Sequence, residues 1–247
     1  MTQGYDFTNR TALITGAASG IGRAIAQRFA KEGWFVGLGD VNEKGMVETQ
    51  HLIGLGFSFG HTFDVRDRDA WDEALNAFSM ASGGRIDVVA NNAGIPLGGT
   101  IDQNSVAEIE RCLDINLKGV LFGAQAALPH LRAAGGNIVN VSSVSAFTGA
   151  GSSIAYVASK AAIDGISMSL ARALGPEIRV MCVSPGAVAT DFLAGRGRAQ
   201  LEALMASSPL GRVTEPEDVA RAIMACITHL KATTGDKIIV DGGRFLG

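Results

Sequence analysis

Cysteine is scarce and scattered: Cys112, Cys182 and Cys226 are the three in 247 residues. They are too far apart for metal-ligand spacing, and a disulfide framework has no place in a chain of this size. Their neighbours read as buried helix or strand, so inert core thiols in a reducing compartment are expected. His51, His61, His130 and His229 are equally dispersed, and no metal site is expected. Positive charge is not in excess, since 21 Lys and Arg stand against 24 Asp and Glu. That removes the electrostatic footprint of a nucleic-acid binder. No run of 18 apolar residues occurs, so no membrane-spanning helix is expected. The opening MTQGYDFTNR lacks the basic and apolar regions of a signal peptide, and a cytoplasmic location is the expectation. Repeats, low-complexity tracts and linkers are also missing. The length then reads as one α/β domain over residues 1–247.

What is abundant is glycine, 32 residues without a collagen-like period. Most fall at junctions between apolar runs and helical patterns, where positive φ or close backbone approach is needed. Strands are expected at 11–15, 34–39, 57–63, 86–90, 136–142, 177–184 and 237–241. Between them lie helical patterns at 21–31, 42–55, 68–80, 104–133, 154–174 and about 214–230. Ser105-x-x-Glu108 reads as a capping box opening the longest helix, and Thr214-Glu-Pro-Glu217 as a capped start with proline in the first turn. Residues 190–210 are more polar and read as a helical flap with Gly195 and Gly197 as hinges. This alternation predicts a doubly wound parallel sheet of about seven strands with helices on both faces.

The first strand ends in Thr15-Gly-x-x-x-Gly-Ile-Gly22. Glycines at 16, 20 and 22 allow a tight turn whose N–H groups, with the positive end of the next helix, can hold a pyrophosphate. A structural turn explains such a cluster equally well; Asp40 sharpens the nucleotide reading. It ends the second strand eighteen residues after Gly22, where a carboxylate accepts hydrogen bonds from the adenosine ribose. Against a 2′-phosphate it meets like charge, at a cost of about 1–4 kcal/mol. Positions 17–19 hold no Arg or Lys, and Lys44 reads as a solvated helix residue. NAD is therefore favoured over NADP. Asp64, closing the third strand, is placed either for the adenine amino group or as a helix cap with Asp67.

Ser143, Tyr156 and Lys160 form the second constellation. Tyr156 and Lys160 sit at i and i+4 near the start of the 154–174 helix and share one face. An ammonium near a phenol stabilises the phenolate and lowers its pKa, so Tyr156 can exchange a proton with a substrate oxygen. Ser143, just after the fifth strand, can donate a hydrogen bond to that oxygen. Alone, Tyr-x-x-x-Lys equally describes a helix face with a snorkelling lysine.

Taken in order, Thr15-Gly-x-x-x-Gly-Ile-Gly22, Asn91-Asn-Ala-Gly94, Asn116, Ser143, Tyr156-x-x-x-Lys160 and Pro185-Gly186-x-Val188-x-Thr190 resemble the short-chain dehydrogenase/reductase family. So does the closing Thr234-Gly-x-x-Ile-x-Val-Asp-Gly-Gly243, whereas residues 226–233 lack the family's usual Ser-Ala segment. The resemblance implies a Rossmann-like fold with Tyr156 as acid/base. Lys160 would tune Tyr156 and bind the nicotinamide ribose, Ser143 would orient the substrate, and Asn116 would hold a water linking Lys160 to solvent. It places the cofactor on Gly16, Ser19, Gly20, Ile21, Gly22, Asp40, Asp64, Val65, Ala93, Gly94, Tyr156, Lys160, Pro185, Gly186, Val188 and Thr190. Asn91 is assigned to the adenosine side, and Asn92 reads as a strand bridge.

The expected reaction is reversible hydride transfer between NAD and a secondary alcohol/ketone pair, with no metal. The alternatives are an NADPH-dependent 3-oxoacyl reductase of fatty-acid synthesis and a non-catalytic nucleotide-sensing protein on the same fold. Judged by the resemblance, the substrate would be lined by Ile95, Pro96, Ser145, Phe147, Gly149, Ala150, Ala187, Phe192, Leu193, Leu204 and Met205. Arg196 and Arg198 read as parts of a solvated hinge. With no arginine clamp evident, a neutral, moderately apolar alcohol or ketone is expected as small-molecule partner. A homotetramer is implied, its contacts made by the apolar outer faces of the 104–133 and 154–174 helices.

Overall fold

A computed structural model describes residues 10–190 and 198–246. Seven strands form one sheet in the order β3-β2-β1-β4-β5-β6-β7, and every pairing is parallel. They are β1 (Thr11–Thr15), β2 (Phe35–Asp40), β3 (Ser58–Thr62), β4 (Val88–Asn91), β5 (Asn137–Val141), β6 (Arg179–Pro185) and β7 (Lys237–Val240).

The helices that cover the sheet are α1 (Gly20–Lys31), α2 (Glu43–Ile53), α3 (Arg68–Ala81), α4 (Val106–Leu113), α5 (Gly119–Ala134), α6 (Ser145–Thr148), α7 (Ile154–Leu174), α8 (Arg198–Ala206) and α9 (Pro216–Thr228). Strand side chains alternate between faces, and both faces are covered, so the central strands are mostly apolar on both sides. Ala12 and Ile14 of β1 face a core shared with Ile25 and Phe29 of α1 and Val219 and Ile223 of α9. Leu13 faces the opposite core, with Trp71 and Phe78 of α3 and Leu131 of α5. Each such fully buried large side chain contributes about 1.5–3 kcal/mol. Cys112, Cys182 and Cys226 are buried and unpaired, as expected of core thiols. Among the described residues no helix is long and apolar enough to cross a membrane.

The strand order reverses between β1 and β4, so the loops that leave their carboxyl ends diverge and open a crevice there. Two departures from the expected elements bear on that crevice. The long helix at 104–133 is instead α4 and α5 joined by a π-helical turn, Asp114–Lys118, with Asn116 at its centre. Its start is as expected, since Ser105 and Glu108 form a capping box. The α9 start is shifted by one residue. Glu215 and Asp218 form the box with Pro216 in the first turn, and Thr214 instead bridges to Val188.

Candidate active site

The crevice is a cleft of about 1070 Å³. One end is built by the first β–α turn. Gly16 has φ +67°, and a Cβ at Gly22 would lie 2.0 Å from the Gly16 carbonyl oxygen. No residue with a side chain fits at 22 while the turn keeps this shape. The turn delivers the start of α1 to the cleft with Ser19 making no side-chain cap and no acidic residue in the first turn. By contrast α2, α3, α4 and α7 are each capped by a side chain. Free N–H groups at a positive helix end are the donor set of an anion site.

Asp40 ends β2 at the wall of this cleft. Its carboxylate accepts from the backbone N–H of Ala18 at 3.0 Å and of Asn42 at 2.9 Å. It is thereby fixed beside the turn, with lone pairs left for further donors. The nearby Arg23 is committed to Glu48, Thr49 and the Ala18 carbonyl. Asp64 also lines the cleft but is not a helix cap. Arg66 holds it from two sides, Nε at 3.0 Å and Nη2 at 2.6 Å, and keeps its carboxyl below the usual range. The cap of α3 is Asp67.

Asn92 bridges strands as its position suggested. Its Nδ2 donates to Thr15 O at 2.9 Å, while Thr15 Oγ1 accepts from the N–H groups of Asn92 and Ala93, both at 3.1 Å. Asn91 departs from the expectation that it lines the adenosine side. Its side chain is buried between β4 and β5, where Nδ2 donates to Asn140 Oδ1 at 2.9 Å. The other positions assigned to a cofactor, from Gly16 to Thr190, line the one cleft.

The opposite wall carries the reactive side chains. Ser143 follows β5, and Tyr156 and Lys160 lie in the first two turns of α7, whose N-terminus Ser153 caps by accepting from Tyr156 N at 3.2 Å. Ser143 and Ser145 are joined through their hydroxyls at 3.1 Å, and Ser143 Oγ also accepts from Ser145 N–H. Lys160 is buried, and its Nζ donates to Val141 O at 2.9 Å. Desolvation pulls its pKa down from 10.5 to about 8.

The phenol does not follow the expected direction. Burial pushes the Tyr156 pKa up, and it is a hydrogen bond with Ser143, not the ammonium, that opposes the rise. Lys160 Nζ lies 5.9 Å from the Tyr156 ring centre, where it meets the ring face. Spacing alone had suggested a closer hold on the hydroxyl.

Asn116 stands behind this wall, fully buried. Its Nδ2 donates to Ile95 O at 3.0 Å and Ser159 Oγ at 3.2 Å, and its Oδ1 accepts from Ile95 N–H at 2.8 Å. A Cβ built on Gly94 would sit 3.2 Å from Asn116 Oδ1 and 3.6 Å from Lys160 Nζ. The π-helical turn thus brings the Asn116 amide next to the lysine.

Of the positions expected around the substrate, Ile95, Ser145, Ala150, Ala187 and Leu204 line the cleft, whereas Pro96, Phe147, Gly149 and Met205 do not. Phe192, Leu193, Gly195, Arg196 and Gly197 lie outside the described residues. The sequence reading missed the turn after β7, where Asp241, Arg244 and Phe245 also line the cleft. The pairing of Pro185 with Val240 brings that turn beside the Pro185–Gly186 wall. A terminal position with no periodic pattern offered no signal for it.

A family model described as Enoyl-(Acyl carrier protein) reductase matches residues 16–244. The chain is 35% identical to trans-4-hydroxycyclohexanecarboxylate dehydrogenase of Sinomonas cyclohexanicum, over 96% of this chain and 93% of that one. It is 34% identical to meso-2,3-butanediol dehydrogenase of Serratia marcescens, over 96% and 95%. Identity is 35% to a 3-oxoacyl-(acyl-carrier-protein) reductase of Thermotoga maritima, over 95% and 97%. A crystal structure of a short-chain dehydrogenase/reductase from Brucella melitensis, titled glucose/ribitol dehydrogenase, superposes with a TM-score of 0.92 at 31% identity. That match covers 99% of this chain and all of the other.

Proposed function

Because the chain belongs to the short-chain dehydrogenase/reductase family, we propose that it is an NAD-dependent oxidoreductase acting on a secondary alcohol and its ketone as one catalytic unit over residues 1–247. The observation that carries this reading is a single cleft with two kinds of wall. One holds the uncapped start of α1 and the fixed carboxylate of Asp40; the other holds Ser143, Tyr156 and Lys160.

The residues fit a nicotinamide dinucleotide. The N–H groups around Ser19, Gly20, Ile21 and Gly22 would take the pyrophosphate, and Asp40 the adenosine ribose hydroxyls. Lys160 would take the nicotinamide ribose, with Gly186, Val188 and Thr190 beside the ring. When bound, the cofactor supplies the hydride acceptor, and in its reduced form the donor.

The chain's own part is proton chemistry and orientation. The Ser143 hydroxyl donates to the substrate oxygen. In oxidation the phenolate of Tyr156 takes the alcohol's hydroxyl proton, and in reduction the phenol returns it to the developing alkoxide. Charge on that oxygen is met by two hydroxyls held on rigid elements. Lys160 adds a positive field at the phenol ring, and Asn116, bonded to the Ile95 backbone, stands on the side from which a water would exchange protons.

Two relatives whose names state a secondary alcohol support the alcohol reading. The Thermotoga relative favours a second reading, NADPH-dependent reduction of a 3-oxoacyl thioester. Asp40 argues against it, because the carboxylate would face the 2′-phosphate as like charge, and the nearby Arg23 is committed to Glu48, Thr49 and the Ala18 carbonyl. A panel of secondary alcohols and 3-oxoacyl thioesters, run with NAD(H) and NADP(H) and followed by nicotinamide absorbance, decides. Turnover of alcohols with NAD is expected; thioester reduction with NADPH alone would overturn the reading. The assembly proposed with it is a homotetramer, supported by Leu121 on α5 and Met168 on α7, which are 41% and 52% exposed. Light scattering that gives a monomer would refute this.

A further inference from the structure

The geometry points to Arg244 as the residue that selects an anionic substrate, a small hydroxy or oxo carboxylic acid whose carboxylate pairs with the guanidinium while its secondary alcohol or ketone meets Tyr156. This rests on the dehydrogenase reading and replaces the neutral substrate expected from sequence.

The cleft carries charges of both signs. Asp40 is held by backbone N–H groups, Asp64 and Arg66 hold one another, and Lys160 is bound to Val141 O. Arg111 lies close enough to Asp64 to lower its pKa. Asp241 is buried and accepts from Gly243 N–H at 2.8 Å and Phe245 N–H at 2.7 Å. Arg244, between those two donors, lines the cleft, is exposed, and has no ion-pair partner among the described residues. An unmatched cation in a substrate cleft is a ready partner for a carboxylate.

The turn that carries it is pinned rather than loose. Both oxygens of Asp241 clasp it from within. Ser208, just after α8, donates to Gly242 O at 2.9 Å. Gly242 and Gly243 have φ +71° and +81°, a backbone that side chains rarely tolerate. On the far side Phe245 packs edge-on against Phe147 at 4.5 Å, two residues from Ser145, whose hydroxyl meets Ser143. Arg244 is therefore tied to the serine wall, remote in the fold from the Asp40 end. A cation fixed on a rigid turn loses little freedom when it pairs with a ligand.

The test compares 4-hydroxycyclohexanecarboxylate with its uncharged carboxamide in the wild type, Arg244→Gln and Arg244→Lys, with NAD present. Binding of cyclohexanecarboxylate and cyclohexanecarboxamide to the enzyme–NADH complex is measured in parallel by calorimetry. We expect wild-type kcat/KM to favour the acid, and Arg244→Gln to lose about 10- to 100-fold on the acid alone, mostly in KM. Arg244→Lys should recover part of it, and the calorimetric preference for the acid should vanish in Arg244→Gln. Equal loss on acid and amide, or no loss on either, overturns the inference while leaving the dehydrogenase reading intact. So does a wild type that prefers the amide. A wild type that turns over no alcohol at all defeats the dehydrogenase reading itself, and the inference with it.

Discussion

Lys160 Nζ and Val141 O are 2.9 Å apart, so the cation of the reactive wall is anchored to the last residue of β5. Burial sets its pKa at about 8 against an ordinary 10.5. Below pH 8 the amine is charged in both folded and unfolded chains, and the folded state bears the desolvation cost. Between about 8 and 10.5 the unfolded chain still holds the proton that the folded chain has released, so stability rises with pH. Above 10.5 the cost is gone. Lys160→Met removes the titration. In paired urea melts, wild type should gain on Lys160→Met by about 2–4 kcal/mol from pH 7 to 10.5. A constant difference across that range would show that Lys160 is not the group titrating. Activity of Lys160→Met should fall by about 100-fold or more.

On the proposed reading Tyr156 carries the proton step, and desolvation holds its pKa above the ordinary phenol value. Oxidation needs the phenolate, so its rate should climb with pH through the neutral range and beyond. Reduction needs the protonated phenol and should stay level there, falling only in alkali. Tyr156→Phe should lose about 1,000-fold or more in both directions, leave no pH-dependent limb, and still bind NADH by fluorescence titration. Substantial turnover in that variant would remove Tyr156 from the mechanism.

The legible parts of this molecule were those written as local pattern. Ala12, Leu13 and Ile14 alternate between two covered faces, and an unbroken apolar run is the sequence form of that arrangement. The ordered motifs likewise mark Ser143, Tyr156, Lys160 and Asn116, residues far apart in sequence that the fold gathers at one end of the cleft. What depended on long-range packing was not legible. The π-helical turn at Asn116 arises where its amide bonds Ile95, 21 residues away. Asn91 turns to Asn140, 49 residues on. Arg244 reaches the cleft only because β7 pairs with β6 and Asp241 clasps the turn. The direction of the Tyr156 shift was misjudged for a related reason. Helical spacing fixes which face two residues share, but not how deeply each is buried.

Asp40 should decide which dinucleotide is accepted. Its carboxylate meets a 2′-phosphate as like charge, at about 1–4 kcal/mol, or a ratio of about 5 to 1,000. Wild type is expected to prefer NAD within that range. Asp40→Ser keeps a hydrogen-bonding group but removes the charge, so the NAD/NADP ratio of kcat/KM should fall by about 10-fold or more. Because Asp40 also holds Ala18 N–H at 3.0 Å, a modest rise in KM for NAD is expected as well. An unchanged ratio would show that selectivity lies elsewhere.

Asn116 has a structural role and a proposed chemical one, and two substitutions separate them. Its amide satisfies both backbone groups of Ile95 in a fully buried setting. Asn116→Leu leaves a donor and an acceptor unpaired there, at about 1–3 kcal/mol each, and should lower the urea midpoint clearly. Ser159→Ala removes the 3.2 Å bond that orients the amide from behind, together with the bond that Ser159 Oγ donates to Tyr156 O at 2.7 Å, at about 1 kcal/mol each. If amide orientation matters for proton exchange at Lys160, Ser159→Ala should lower kcat several-fold with KM for NAD unchanged, despite its near-native stability. A variant with native kcat would confine Asn116 to holding the Ile95 loop, since the small loss of stability cannot by itself depopulate the folded enzyme.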